Sequence, residues 1–73
     1  QSFQVDTLAQ NELLVNAPEI FQYGVDEANG RLIMKGNGKN GLNHINLQGK
    51  PSGIYVLQLI SNNLKQTERI LRQ

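Results

Sequence analysis

Gly49-Lys50-Pro51-Ser52-Gly53-Ile54-Tyr55-Val56-Leu57-Gln58-Leu59-Ile60 is the stretch on which the fold turns. It opens as a turn: the ring of Pro51 fixes one backbone angle, and Gly49 and Gly53 admit conformations that other residues avoid. An apolar run follows. Successive side chains of an extended chain point to opposite faces. Ile54, Val56 and Ile60 therefore share one face, Tyr55, Leu57 and Leu59 share the other, and only Gln58 interrupts the run. A strand apolar on both faces is expected to be covered on both, or to lie centrally with its tip against a neighbour. The other strands are expected to pair on this one.

Outward from it, short runs alternate with turn residues. Phe3 and Val5 flank Gln4 in a short first strand, and residues 6–11 read as a loop. Residues 12–15 form a second strand with Leu13 and Val15 toward the core, ended by Pro18, which cannot donate to a sheet ladder. Residues 20–26 form a third, in which Phe21, Tyr23 and Val25 alternate with Gln22 and Gly24. Asp26-Glu27-Ala28-Asn29-Gly30 reads as a hairpin loop, because Asn-Gly tolerates the positive backbone angle of a tight turn. Residues 31–35 make a fourth strand and residues 36–41 a longer turn. In a fifth strand, residues 42–47, Leu42, His44 and Asn46 oppose Asn43, Ile45 and Leu47. The sixth is residues 53–61, and the last is residues 65–72, with Ile70 and Leu71 its apolar members. Seven short antiparallel strands punctuated by Gly, Pro and Asn suggest an all-β sandwich or barrel. No segment keeps a helical period.

With 73 residues the chain is one small domain, residues 1–73. A domain of this size buries only about 60% of its unfolded surface and depends on close packing. Without cysteine there is no disulfide staple and no thiolate for a metal. No apolar stretch approaches the ~20 residues that cross a bilayer as a helix. The residues that precede the first strand lack the basic and apolar regions of a signal peptide, and the chain is expected to be part of a longer protein. The net charge of +1 hides an asymmetry. Residues 1–30 hold Asp6, Glu12, Glu19, Asp26 and Glu27 and no basic residue, a balance of −5; residues 31–73 hold all seven Lys and Arg with Glu68, a balance of +6. The two halves are expected to attract one another across a sheet. The basic half then offers either solvated strand faces or a surface for an anionic partner.

Little in the chain suggests catalysis. Gly36-Asn37-Gly38-Lys39-Asn40-Gly41 spells G-x-G-x-x-G, but that fingerprint needs a helix after it, and a strand pattern follows instead. His44 is the only histidine, and Ser2, Ser52 and Ser61 lack the context of an activated nucleophile. Asp26, Glu27 and Asn29 make a weak calcium set at best. The basic half holds one aromatic, Tyr55, in an expected core strand, so a nucleic-acid platform is not expected. The lack of Trp also argues against a sugar-stacking module. No catalytic residue, metal ligand, cofactor or small-molecule substrate is expected.

One resemblance spans nearly the whole chain. Asp26-Glu27-Ala28-Asn29-Gly30-Arg31-Leu32-Ile33, Asn43-His44-Ile45-Asn46-Leu47, Pro51-Ser52-Gly53-Ile54-Tyr55-Val56-Leu57-Gln58-Leu59 and the basic end Arg69-Ile70-Leu71-Arg72-Gln73 follow in order. So arranged, they resemble the type A C-terminal sorting domain of the type IX secretion system of Bacteroidota. Asn29, Gly30, Pro51, Gly53, Ile54 and Tyr55 fit its structural motifs. One departure stands out: where the family carries a Pro-Asn-Pro turn after the first strand, this chain has Asp6-Thr7-Leu8-Ala9.

The resemblance implies an immunoglobulin-like β-sandwich at the end of a larger exported protein. It implies a non-catalytic signal that addresses an upstream cargo domain to the cell surface or exterior. The implied partners are an outer-membrane translocon, a shuttle protein and a sortase-like peptidase that removes the domain. A receptor could read the last strand by adding a strand to its edge, which makes Lys65, Arg69, Ile70, Arg72 and Gln73 the candidate recognition residues. The bland alternative is that these charges keep an edge strand from aggregating. The alternative function is a glycan-binding or spacer module of an extracellular enzyme.

Overall fold

The computed structural model describes residues 1–73. It contains eight strands: β1 (Gln4–Val5), β2 (Leu8–Ala9), β3 (Glu12–Ala17), β4 (Phe21–Glu27), β5 (Leu32–Gly38), β6 (Gly41–Asn46), β7 (Gly53–Ile60) and β8 (Lys65–Arg72). One sheet has the order β1-β3-β6 and the other β2-β8-β7-β4-β5. With β3 beside β6 in one layer and β8-β7-β4 in the other, the connectivity is that of an immunoglobulin-like sandwich. As expected, β7 lies inside its sheet, paired antiparallel to β4 and to β8.

Alternation decides which side chains go inward. Leu13, Val15 and Ala17 of β3 meet Phe21 and Val25 of β4 and Tyr55, Leu57 and Leu59 of β7 in a core of thirteen buried residues, none polar. Ile70 of β8 belongs to the same core. Phe3 closes one end, with its ring edge-on to Phe21 at a centroid distance of 5.1 Å. The hydroxyl of Tyr55 donates to the carbonyl of Pro51. This return bond from the start of β7 to the preceding turn is a tyrosine corner, a hallmark of immunoglobulin-like domains.

Three expectations need correction. Residues 6–11 are not simply a loop, because Leu8 and Ala9 form β2, and β2 runs parallel to β8 rather than antiparallel. The first strand is thus divided between the two sheets. The side chain of Asp6 holds the bend, accepting from the Leu8 N–H at 3.3 Å.

Residues 36–38 are not turn but the end of β5. The rings of Tyr23 and Phe21 lie across Gly36 and Gly38, so a Cβ on Gly38 would stand 2.1 Å from Phe21 Cζ. Glycine here makes room for an aromatic from the neighbouring strand rather than for a bend.

The acidic and basic halves do not pair across the sheets in the way the charge count suggests. The ion pairs are Arg31–Glu27, within one hairpin at 3.6 Å, and His44–Glu12 at 3.1 Å, the latter ionic only when the imidazole is protonated. Most carboxylates bond uncharged groups instead: Asp26 accepts from Gln58, Glu68 from Gln66, and Glu19 from Ser61 and Asn63.

Of the two arrangements expected for β7, the central place holds and cover on both faces does not. Tyr55, Leu57 and Leu59 are buried, but Ile54 and Val56 on the opposite face are half-buried and Ile60 is 44% exposed.

Candidate functional site

The basic strand β8 is the place to look for a surface that another protein could read. It pairs with β7 along its whole length, from Ile60 opposite Lys65 to Gly53 opposite Arg72. That register divides its residues. Gln66, Glu68, Ile70 and Arg72 stand opposite the inward set of β7, and Lys65, Thr67, Arg69 and Leu71 opposite its outward set.

The five candidate recognition residues fall into three groups. Lys65 and Arg69 are exposed, and neither has a carboxylate partner. Ile70 is 1% exposed, a core residue that a docking partner cannot touch without opening the sandwich. Arg72 and Gln73 are tied down. The Arg72 guanidinium donates to the Leu47 carbonyl at 3.2 Å, to Asn11 Oδ1 at 3.4 Å and to the Gln73 carbonyl at 2.8 Å. The Gln73 N–H donates to the Ala9 carbonyl at 2.8 Å.

The outer edge of β8 is open over only part of its length. The Leu71 N–H donates to the Thr7 carbonyl at 2.8 Å, so β2 occupies the edge near the end of β8. Residues 65–69 have no strand on that side. The side chain of Gln66 secures the segment leading into β2, accepting from the Phe3 N–H at 3.0 Å and donating to the Phe3 carbonyl at 2.9 Å.

The turn before β8 is fixed by a carboxylate. Glu19, between β3 and β4, accepts from the Ser61 hydroxyl and from Asn63 Nδ2 at 3.0 Å, and the Leu64 N–H donates to Ser61 Oγ at 3.1 Å. These bonds, that of Ser61 foremost, hold the Glu19 carboxyl below its ordinary range, against a smaller opposing effect of desolvation. Glu19 thereby ties the crossover between the layers to the turn that sets the direction of β8.

The motif residues serve turns. Asn29 Oδ1 accepts from the Arg31 N–H at 3.0 Å, and Gly30, at φ +93°, closes the hairpin by donating to the Glu27 carbonyl at 2.9 Å. Pro51 supplies the acceptor for Tyr55, while Gly53 and Ile54 begin β7. His44 lies in the other sheet, exposed and bonded to Glu12, with no serine among its partners.

Two contributors escape a reading of the sequence. One is β2, too short to show a period. The other is the uncovered face of β7, whose apolar residues read as core. Their only signal is the presence of apolar side chains on both faces of one strand.

A family model described as the secretion system C-terminal sorting domain matches residues 9–73. The chain belongs to this family. No curated protein matches it. The sorting domain is a signal for type IX secretion, in a family of signals rather than catalysts. It interacts with the type IX machinery, and its cargo is secreted or held at the cell surface. The match begins at Ala9, inside β2, so β1 and Leu8 lie outside it.

Proposed function

We propose that this sorting domain, residues 1–73, ends a longer exported protein and delivers the cargo joined ahead of it across the periplasm and outer membrane. A shuttle protein and an outer-membrane translocon read it as a folded surface, and a sortase-like peptidase then removes it. The domain performs no catalysis of its own. Reading takes place at β8, through Lys65 and Arg69 and the open edge between them, with Arg72 and Gln73 holding the strand in place. The observation that carries this reading is the state of residues 65–69. They are the one part of β8 with no strand on the outer edge, and their two cations have no carboxylate partner. An added strand would find backbone groups and charges there together.

The test joins residues 1–73 to the end of a reporter that otherwise stays in the periplasm of a bacterium with a type IX system. The expected result is reporter at the surface or in the medium, and native cargo lacking these residues retained in the periplasm. A reporter that stays in the periplasm with its domain folded would overturn the reading.

A further inference from the structure

The outward face of β7 and β8 is apolar at one end and cationic along one side. Leu8 of β2, Leu71 of β8 and Ile54 of β7 lie side by side in register, with Val56 in the next row. Leu8 is 52% exposed and Leu71 43%. With strands about 4.8 Å apart, the row spans about 10 Å from Leu8 to Ile54. Arg69 stands beside Val56, and Lys65 beside Ile60. Asp26, opposite Val56 on this face, is engaged by Gln58 Nε2 at 2.8 Å. Both cations therefore lack an anion within the domain, and the apolar row lacks a cover.

We infer that this face, rather than the edge of β8 alone, is the docking surface for a protein of the type IX machinery whose contacting surface has an apolar centre bordered by carboxylates. The inference rests on the sorting reading given above. Charge selects the chemistry of the partner: exposed cations beside a half-exposed apolar row call for carboxylates around an apolar centre. A second copy docking by the same face would set these cations against their own kind, with Asp26 already bonded. A membrane surface fits less well. Recognition of anionic lipid typically draws on clusters of about four to eight basic residues, and interfacial anchoring on exposed aromatics. Here three cations, Lys35, Lys65 and Arg69, share this face of the sheet, while Phe3, Phe21 and Tyr55 are buried in the core.

The test uses whole cargo carrying the domain, in a bacterium with the type IX apparatus. Lys65→Glu with Arg69→Glu reverses the cations. Leu8→Thr, Ile54→Thr, Val56→Thr and Leu71→Thr together remove the apolar row and put β-branched residues, suited to strands, in its place. Lys39→Glu with Lys50→Glu changes the net charge equally in the loops that precede β6 and β7. Limited proteolysis of the whole protein checks that each domain is folded. Each face variant is expected to lower delivery by about tenfold or more, with cargo held in the periplasm. The loop variant is expected to stay within about twofold of the parent. Changes elsewhere that restore the charge-reversed variant are expected to replace a carboxylate of the machinery with Lys or Arg.

If both folded face variants are delivered normally while removal of residues 1–73 still traps the cargo, the docking surface is wrong and the sorting reading stands. If removal of the domain has no effect, the sorting reading itself fails. Equal loss in the loop variant would overturn the face in favour of overall charge. Flotation with phosphatidylethanolamine–phosphatidylglycerol vesicles, lost in the charge-reversed variant, would overturn the protein partner in favour of lipid.

Discussion

The hydroxyl of Tyr55 bonds the carbonyl of Pro51 four residues earlier, so the first buried side chain of β7 also fixes the turn that leads into it. Removing only that hydroxyl, in Tyr55→Phe, leaves the ring in the core. The expected loss is about 1 kcal/mol, the net contribution of one such bond. Urea unfolding checks it, with a lower midpoint and an unchanged slope.

Gly38 and Gly24 both lie in strands but predict different outcomes. A Cβ on Gly38 would meet the Phe21 ring at 2.1 Å, whereas one on Gly24 would meet the tip of the exposed Leu32 side chain at 3.3 Å. Phe21 is held in the core and Leu32 is free to swing aside. Gly38→Ala is expected to cost about 1–3 kcal/mol by overpacking, and Gly24→Ala less than about 0.5 kcal/mol. Thermal unfolding of the two variants compares them.

Glu19 predicts an acid sensitivity. Its carboxyl is held below the ordinary range chiefly by the Ser61 hydroxyl, with help from Asn63. A depressed folded value means stability present above the unfolded value, about pH 4.3, and lost as the pH falls through the folded one. Parent and Glu19→Gln are therefore expected to differ most at neutral pH and to converge on acidification. Melting temperatures across the acid range measure this, and a constant gap would exclude a titrating Glu19 as its source.

Gln66 predicts how firmly β2 holds β8. Its amide makes both bonds to the backbone of Phe3, and Gln66→Ala removes them. The amides of Leu71 and Gln73, which donate to Thr7 and Ala9, are expected to exchange about tenfold faster with solvent, the effect of roughly 1.4 kcal/mol on a local opening. Amides of Val25 and Leu57 serve as core references in the same hydrogen-exchange experiment.

Where alternation is long enough to average over, the sequence reading succeeds. Leu13 and Val15, and Phe21 and Val25, are buried as their spacing demands, whereas in β7, apolar on both faces, spacing did not single out Tyr55, Leu57 and Leu59. It fails where a distant strand decides. Two residues of β2 cannot show a period, and their partner lies at the other end of the chain. Glycines at 36 and 38 carry the signature of a turn, but rings from β4 fill their missing side-chain space. The charge asymmetry suggested ion pairs between halves, yet amides and a hydroxyl satisfy most of the carboxylates at closer hand.

The recognition surface was legible only in outline. The charge of the last strand pointed to Lys65 and Arg69, and they are exposed on one side of it. Which side of the strand faced inward was set by the pairing of Ile70 with Tyr55, and that sent Ile70 into the core. The restraint of Arg72 depends on Leu47 and Asn11, neither near it in sequence.

The parallel course of β2 and β8 has a mechanical consequence. Tension between the chain ahead of β2 and the far end of β8 runs along both strands in opposite senses, as shear. The bonds from Leu71 to Thr7 and from Gln73 to Ala9 then share the load at once instead of parting one after another. A protein hauling on this domain meets a clamp before it meets a zipper.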